Sequence, residues 1–90
     1  MNANLSLFNQ INSLCYWLLT ESNYKSSVIL DADKDSYFVR VKKGSQNLYA
    51  YHIPQFSKKN SKFLNFELTA VVNSLLHIKD SVMERRYESA

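Results

Sequence analysis

Apolar residues recur at helical spacing towards both ends of this chain and alternate with polar ones in its middle. Between Leu5 and Glu21, the residues Leu7, Phe8, Ile11, Leu14, Cys15 and Leu18 share a stripe about 120° wide, which predicts an amphipathic helix. Asn4 precedes it as the expected N-cap, Tyr16 points nearly opposite the stripe and Trp17 lies on its flank. A second helix is predicted from Asn65, as its cap, to Arg85 and Arg86, whose cations suit the negative end of the dipole. Its stripe runs through Leu68, Val71, Val72, Leu75, Leu76, Val82 and Met83. Lys79 interrupts that stripe, and its long stem predicts a charge carried past the core edge into water.

Three strands are predicted between the helices. Ser26 to Asp31 is the first, followed by an acidic turn, Asp31 to Ser36. The other two, Tyr37–Lys42 and Asn47–Ile53, flank Gly44-Ser45 as a hairpin. Gly44 is the sole glycine, and a two-residue loop with Gly first favours a type II′ turn, where positive φ costs glycine nothing. That turn pairs Lys43 with Gln46, and an unbroken ladder then pairs Val41 with Leu48, Arg40 with Tyr49 and Phe38 with Tyr51. One face collects Val39, Val41, Leu48 and Ala50; the other collects Phe38, Arg40, Lys42, Tyr49 and Tyr51. A type I turn with a bulge at Gly44 would instead put Tyr49 beside Val39 and Val41, making the tyrosines core. Pro54, with no N–H for a ladder, closes the third strand.

These elements predict a two-layer α+β fold, helix–three-stranded antiparallel sheet–helix, with both helices on one face of the sheet. Ninety residues make one expected domain, 1–90, large enough to bury about 60–65% of its unfolded surface. One glycine and one proline leave room only for short connections. Cys15 is the sole cysteine, which excludes an intrachain disulfide and fits a reducing compartment. The start lacks a signal peptide's basic region and cleavage motif. The longest apolar run, Leu14 to Leu19, is far shorter than the roughly 20 residues of a membrane span. The expectation is a cytoplasmic protein that does not enter the membrane.

Most chemical motifs fail on inspection. Asp31-x-Asp33-x-Asp35 starts like a calcium loop, but Ser36 stands where glycine is needed and Lys42 where the bidentate glutamate belongs. His52 and His77 lack a second ligand at zinc spacing. Cys15 sits in an apolar stripe, where a thiol is inert. A single glycine cannot build a phosphate-cradling loop, and no serine has a nucleophile-elbow setting. No metal, no cofactor and no enzymatic activity are expected.

The order helix, three strands, helix and the segment Ser57-Lys58-Lys59-Asn60-Ser61-Lys62 resemble double-stranded-RNA-binding domains. The resemblance implies that Lys58, Lys59 and Lys62 meet phosphates at the start of the last helix, and that Asn9, Gln10 and Asn12 face a minor groove. It covers the topology and about six residues. The family's Gly-Pro-x-His loop is replaced by the acidic Asp31–Asp35 turn, and its alanine-rich final helix is absent.

The net charge of +3 with eight acidic residues interspersed permits nucleic acid without demanding it. The favoured expectation is therefore a small non-enzymatic protein that binds another protein, as inhibitor, adaptor or regulator. Phe38, Arg40, Lys42, Tyr49 and Tyr51 are its expected contact residues. The alternative is an RNA- or DNA-binding module working through Lys58, Lys59 and Lys62. Tyr16, Phe63 and Phe66 lie outside both stripes, and the open-edged sheet also points to a homodimer.

Overall fold

The computed structural model describes residues 3–88, and the side chains of residues 3–86; the ends of the expected 1–90 domain lie outside that range. Helix α1 spans Ala3–Glu21, and three strands follow: β1 Lys25–Asp31, β2 Ser36–Lys43 and β3 Gln46–Pro54. A short 3₁₀ turn, Phe56–Lys58, leads to helix α2, Ser61–Glu88. The sheet is antiparallel in the order β1-β2-β3, and both helices cover the same face of it. The α+β architecture expected from the sequence is thus the one observed. Among the described residues, no helix is long and apolar enough to cross a membrane.

The core lies between the two layers. From α1 come Ile11, Cys15 and Leu18; from the sheet Tyr37, Val39, Val41 and Ile53; from α2 Leu68, Val71, Val72, Leu75 and Val82. Tyr37 is wholly buried, stacked at a tilt on Phe8 and Phe56 with ring centroids 5.0 and 5.1 Å away. Its hydroxyl donates to Asn12 Oδ1 at 3.2 Å, which gives the polar tip of a buried ring its partner. Cys15 is buried as expected, and burial pushes its thiol from 9.0 to about 11.

The helix starts differ from expectation. Asn4 is not a cap but a buried residue inside α1, donating through Nδ2 to the backbone oxygen and the hydroxyl of Ser61. Helix α2 begins four residues before Asn65, and Asn60 caps it, its Oδ1 accepting from the Lys62 N–H at 2.9 Å. The cap therefore lies upstream because Phe63, Leu64 and Phe66 continue the helix. At the other end Trp17 is sandwiched by cations, with Lys79 Nζ at 4.9 Å and Arg86 Cζ at 5.4 Å from its ring centroid. Lys79 thus keeps its stem at the core edge and rests its charge on an indole. The guanidinium of Arg86 also donates to the Glu21 carbonyl, tying the ends of the two helices together.

The hairpin turns where expected but does not keep the expected register. Lys43 pairs with Gln46 and Gly44 has φ +61°, with open space where a Cβ would stand. Lys42 then pairs with Asn47 but Val41 with Tyr49, so Leu48 has no partner. That bulge reverses the alternation for the rest of β3. Val39 faces Tyr51 and Tyr37 faces Ile53, which puts Tyr49, Tyr51 and Ile53 on the helix-covered side. Without the bulge, Ala50 and His52 would have pointed into the core and Ile53 into water.

The acidic turn between β1 and β2 is held by its own carboxylates. Asp31 Oδ1 accepts the N–H groups of Asp33 and Lys34, and Asp35, at φ 49°, accepts from the Ser57 N–H at 2.9 Å and its hydroxyl at 2.8 Å. Those Ser57 bonds hold the Asp35 carboxyl below its usual range. Among the described residues, no group of three or more His, Cys, Asp or Glu side chains is placed to hold a metal ion.

Two outcomes follow from this core. Ile11→Ala should cost about 2–5 kcal/mol in urea unfolding, because it empties a fully buried site between the layers. Raising the pH should destabilise the fold between pH 9 and about pH 11, because the unfolded thiol ionises near 9.0 while folded Cys15 stays protonated to about 11. Burial raises Tyr37 in the same direction. Cys15→Ala should flatten that alkaline slope, read from unfolding midpoints across the window.

Candidate functional site

The face of the sheet away from the helices carries the candidate site. Tyr37, Val39 and Val41 point into the core, so the pleat turns Phe38, Arg40 and Lys42 outwards. The register builds three rows across this outer face. Ile29, Phe38 and His52 form one, Ser27, Arg40 and Ala50 the next, and Lys25, Lys42 and Asn47 the third. The face therefore grades from an apolar and aromatic row to a basic one over about 13 Å, since every second residue on a strand returns to the same side.

Phe38 stands in the middle of the first row, on the central strand. Its ring lies 6.4 Å from the His52 ring, and the Arg40 guanidinium sits 5.9 Å from the Phe38 centroid. Arg40 Nε is shielded from solvent and has no hydrogen-bond partner within the described chain. Lys25 and Lys42 stand directly opposite each other, an unfavourable like-charge pair. Asp31 is the carboxylate on the first row's far side, and it is engaged in capping its own turn.

Of the five contact residues expected from the sequence, the structure keeps Phe38, Arg40 and Lys42 together and moves Tyr49 and Tyr51 to the opposite face. The two tyrosines pack under α2. Tyr51 donates its hydroxyl to Glu67 Oε1 at 3.2 Å, and burial raises its phenol, with the Glu67 charge second. Burial likewise raises Tyr49, whose hydroxyl meets Ser74. The bulge at Leu48 is the physical reason. In their place the outer face has Lys25, Ser27, Ile29, Ala50 and His52. Their parity was fixed once Val28 and Ile53 were placed inwards, but the sequence offers no register for β1.

The lysine segment is largely engaged within the chain. Lys59 Nζ pairs with Glu67 at 3.3 Å, beside the Tyr51 hydroxyl that bonds the same carboxylate. Lys58 sits close enough to Asp35 to help lower that carboxyl. Lys62 is exposed in the first turn of α2. Of the helix residues that a minor groove would meet, Asn9 and Gln10 are exposed and Asn12 is committed to Tyr37. The acidic turn and the lysines therefore crowd the same end of the molecule, where their fields oppose each other.

No protein-family model matches this chain, and neither a curated protein nor a solved structure does.

The two faces separate experimentally. Tyr49→Ala and Tyr51→Ala should each lower stability by about 2–4 kcal/mol, since each removes a ring packed under α2. Phe38→Ala and Arg40→Ala should stay within about 1 kcal/mol of the parent in the same denaturant titration, because no helix covers them.

Proposed function

We propose that this chain is a non-enzymatic binding domain that takes an acidic segment of a partner protein on the open face of its sheet. Phe38 is the apolar anchor, and Arg40, Lys42 and Lys25 receive carboxylates. The observation that carries this proposal is the composition of that face: three cations and an aromatic row beside a turn-bound Asp31. Arg40 adds a second support. Its Nε lacks an acceptor, and an incoming carboxylate taking the guanidinium bidentately would satisfy it. Tyr and Arg dominate interface hot spots in general, and here Arg40 over Phe38 supplies a rigid cation on an apolar base.

Several groups that could do chemistry are already occupied structurally. Cys15 is buried, Tyr37 is bound to Asn12, and Glu67 is shared by Tyr51 and Lys59. A nucleic-acid role through Lys58, Lys59 and Lys62 has less support, because Lys59 is paired with Glu67 and the acidic turn lies at the same end of the molecule.

Capture of partners from the native cell, with and without nuclease, tests the proposal. Phe38→Ala and Arg40→Ala should each weaken capture by about 1–4 kcal/mol in affinity, with nuclease making no difference. The triple change of Lys58, Lys59 and Lys62 to Ala should leave capture intact. Nuclease-sensitive capture, lost with the lysines and retained with Phe38→Ala, would overturn it.

A further inference from the structure

We propose that the chain forms a twofold dimer by antiparallel pairing of β1 with β1 of a second copy, giving a continuous six-stranded sheet with the helices on one side. This stands on the sheet's edge and does not rest on the outer-face proposal, although Lys25 and Ile29 belong to both surfaces.

The two edges of the sheet are treated differently by the sequence. β3 carries the Leu48 bulge and ends at Pro54, both of which discourage a further strand. β1 pairs with β2 without a register shift over its whole length, and its sequence Lys-Ser-Ser-Val-Ile-Leu-Asp has no proline, glycine or internal charge. An exposed strand of this kind is a template for another chain.

The same seven residues specify the partner as a second copy. A twofold axis perpendicular to the sheet must pass through one residue facing itself. With Val28 on the axis, all seven residues overlap, and Lys25 of each copy falls opposite Asp31 of the other. A centre at Ser27 or Ile29 loses both charge pairs. β1 is thus complementary to its own reverse.

Helix α1 supplies the second layer of the contact. It lies over the edge strand β1 and reaches the central strand β2, with Ser26 Oγ donating to the Cys15 carbonyl and the Tyr37 hydroxyl to Asn12. Strands are about 4.8 Å apart, so two helices over the β1–β2 seams would run about 10 Å apart across the axis, the ordinary helix-packing distance. α2 lies against one flank of α1, through Trp17 and Leu14. Tyr16 and Leu19 lie on the opposite flank, and Leu5, near the start of α1, lines a cleft with Leu30 of β1 and with Leu64 and Leu68 of α2. Leu5 and Leu19 lie equally far in sequence from Asn12, so an antiparallel α1 pair centred there sets each leucine against the other. Leu5 is 48% exposed, Leu19 54%, Ile29 52% and Leu30 56%. With Tyr16 they make up half of the large exposed apolar side chains among the described residues. Such a concentration around one strand edge marks an interface.

Sedimentation equilibrium on the full chain should give twice the 10.5 kDa chain mass at high protein concentration, falling on dilution. Ile29→Lys and Leu19→Lys each place a charge in the proposed contact without touching the core, and should raise the dissociation constant roughly tenfold or more, with a melting curve unchanged at concentrations where the parent is monomeric. A cysteine scan reads the register. Facing residues have Cα atoms about 4.5–5.5 Å apart, within disulfide reach, whereas diagonal ones are about 7–8 Å apart. Val28→Cys should therefore give a reducible covalent dimer under oxidation, while Ser27→Cys and the parent, whose Cys15 is buried, should not. A monomer at every concentration would overturn the proposal. A dimer insensitive to both lysine variants, or one cross-linked through Ser27→Cys and not Val28→Cys, would also overturn it.

Discussion

Leu48, the residue without a strand partner, determines what the two sides of this sheet are. Gly44-Ser45 fixes where β2 and β3 begin to pair, yet one extra residue on β3 then turns every later side chain over. The result is large. Tyr49, Tyr51 and Ile53 go under α2, while Ala50 and His52 go to water. Each of those rings removes far more apolar area from water than alanine could, and histidine would have brought a polar ring into the core. The unpaired backbone of one residue at a solvent-facing edge is a small cost beside that gain. The β3 part of the outer face, Ala50 and His52, owes its composition to this one irregularity.

Much of the fold was legible because helices announce themselves by period. Ile11, Cys15 and Leu18, and likewise Leu68, Val71, Val72 and Leu75, recur at helical spacing and are buried, whereas Leu76 and Met83 of the same expected stripe are exposed. The exposed positions of Tyr16 and Phe66 followed from the same wheels, whereas Phe63 lay before the expected helix start. The start of α2 was harder. Asn60 and Asn65 are both capable caps, and the choice depended on whether Phe63 and Phe66 would tolerate exposure on a helix, which they do.

The site was less legible, for a parity reason. A turn specifies the first pair of a hairpin, while a bulge adds one residue and leaves no composition of its own. The trace it left was indirect. An unbroken ladder would have set His52 inwards and Ile53 outwards, an arrangement that contradicts their polarity. Phe38, Arg40 and Lys42 stayed where the alternation of β2 put them, since Val39 and Val41 anchor that strand from the other side. The contributions of Ile29 and Lys25 depended on the β1–β2 register, which the short acidic turn sets through the Asp31 carboxylate rather than through any glycine or proline.

The closure between the chain's two distant parts has a consequence for the order of assembly. Asn4 is tied to Ser61, Tyr24 to Arg85 and Glu21 to Arg86, whereas the strands meet only near neighbours in sequence. On a ribosome the hairpin can therefore complete its ladder while α2, which follows it in sequence, has still to emerge. Until that helix emerges, Tyr49, Tyr51 and Ile53 have nothing above them, so the nascent sheet is greasy on the very side that ends up dry. The long final helix acts as a late-arriving cover, and its delivery time sets how long the unfinished chain stays adhesive.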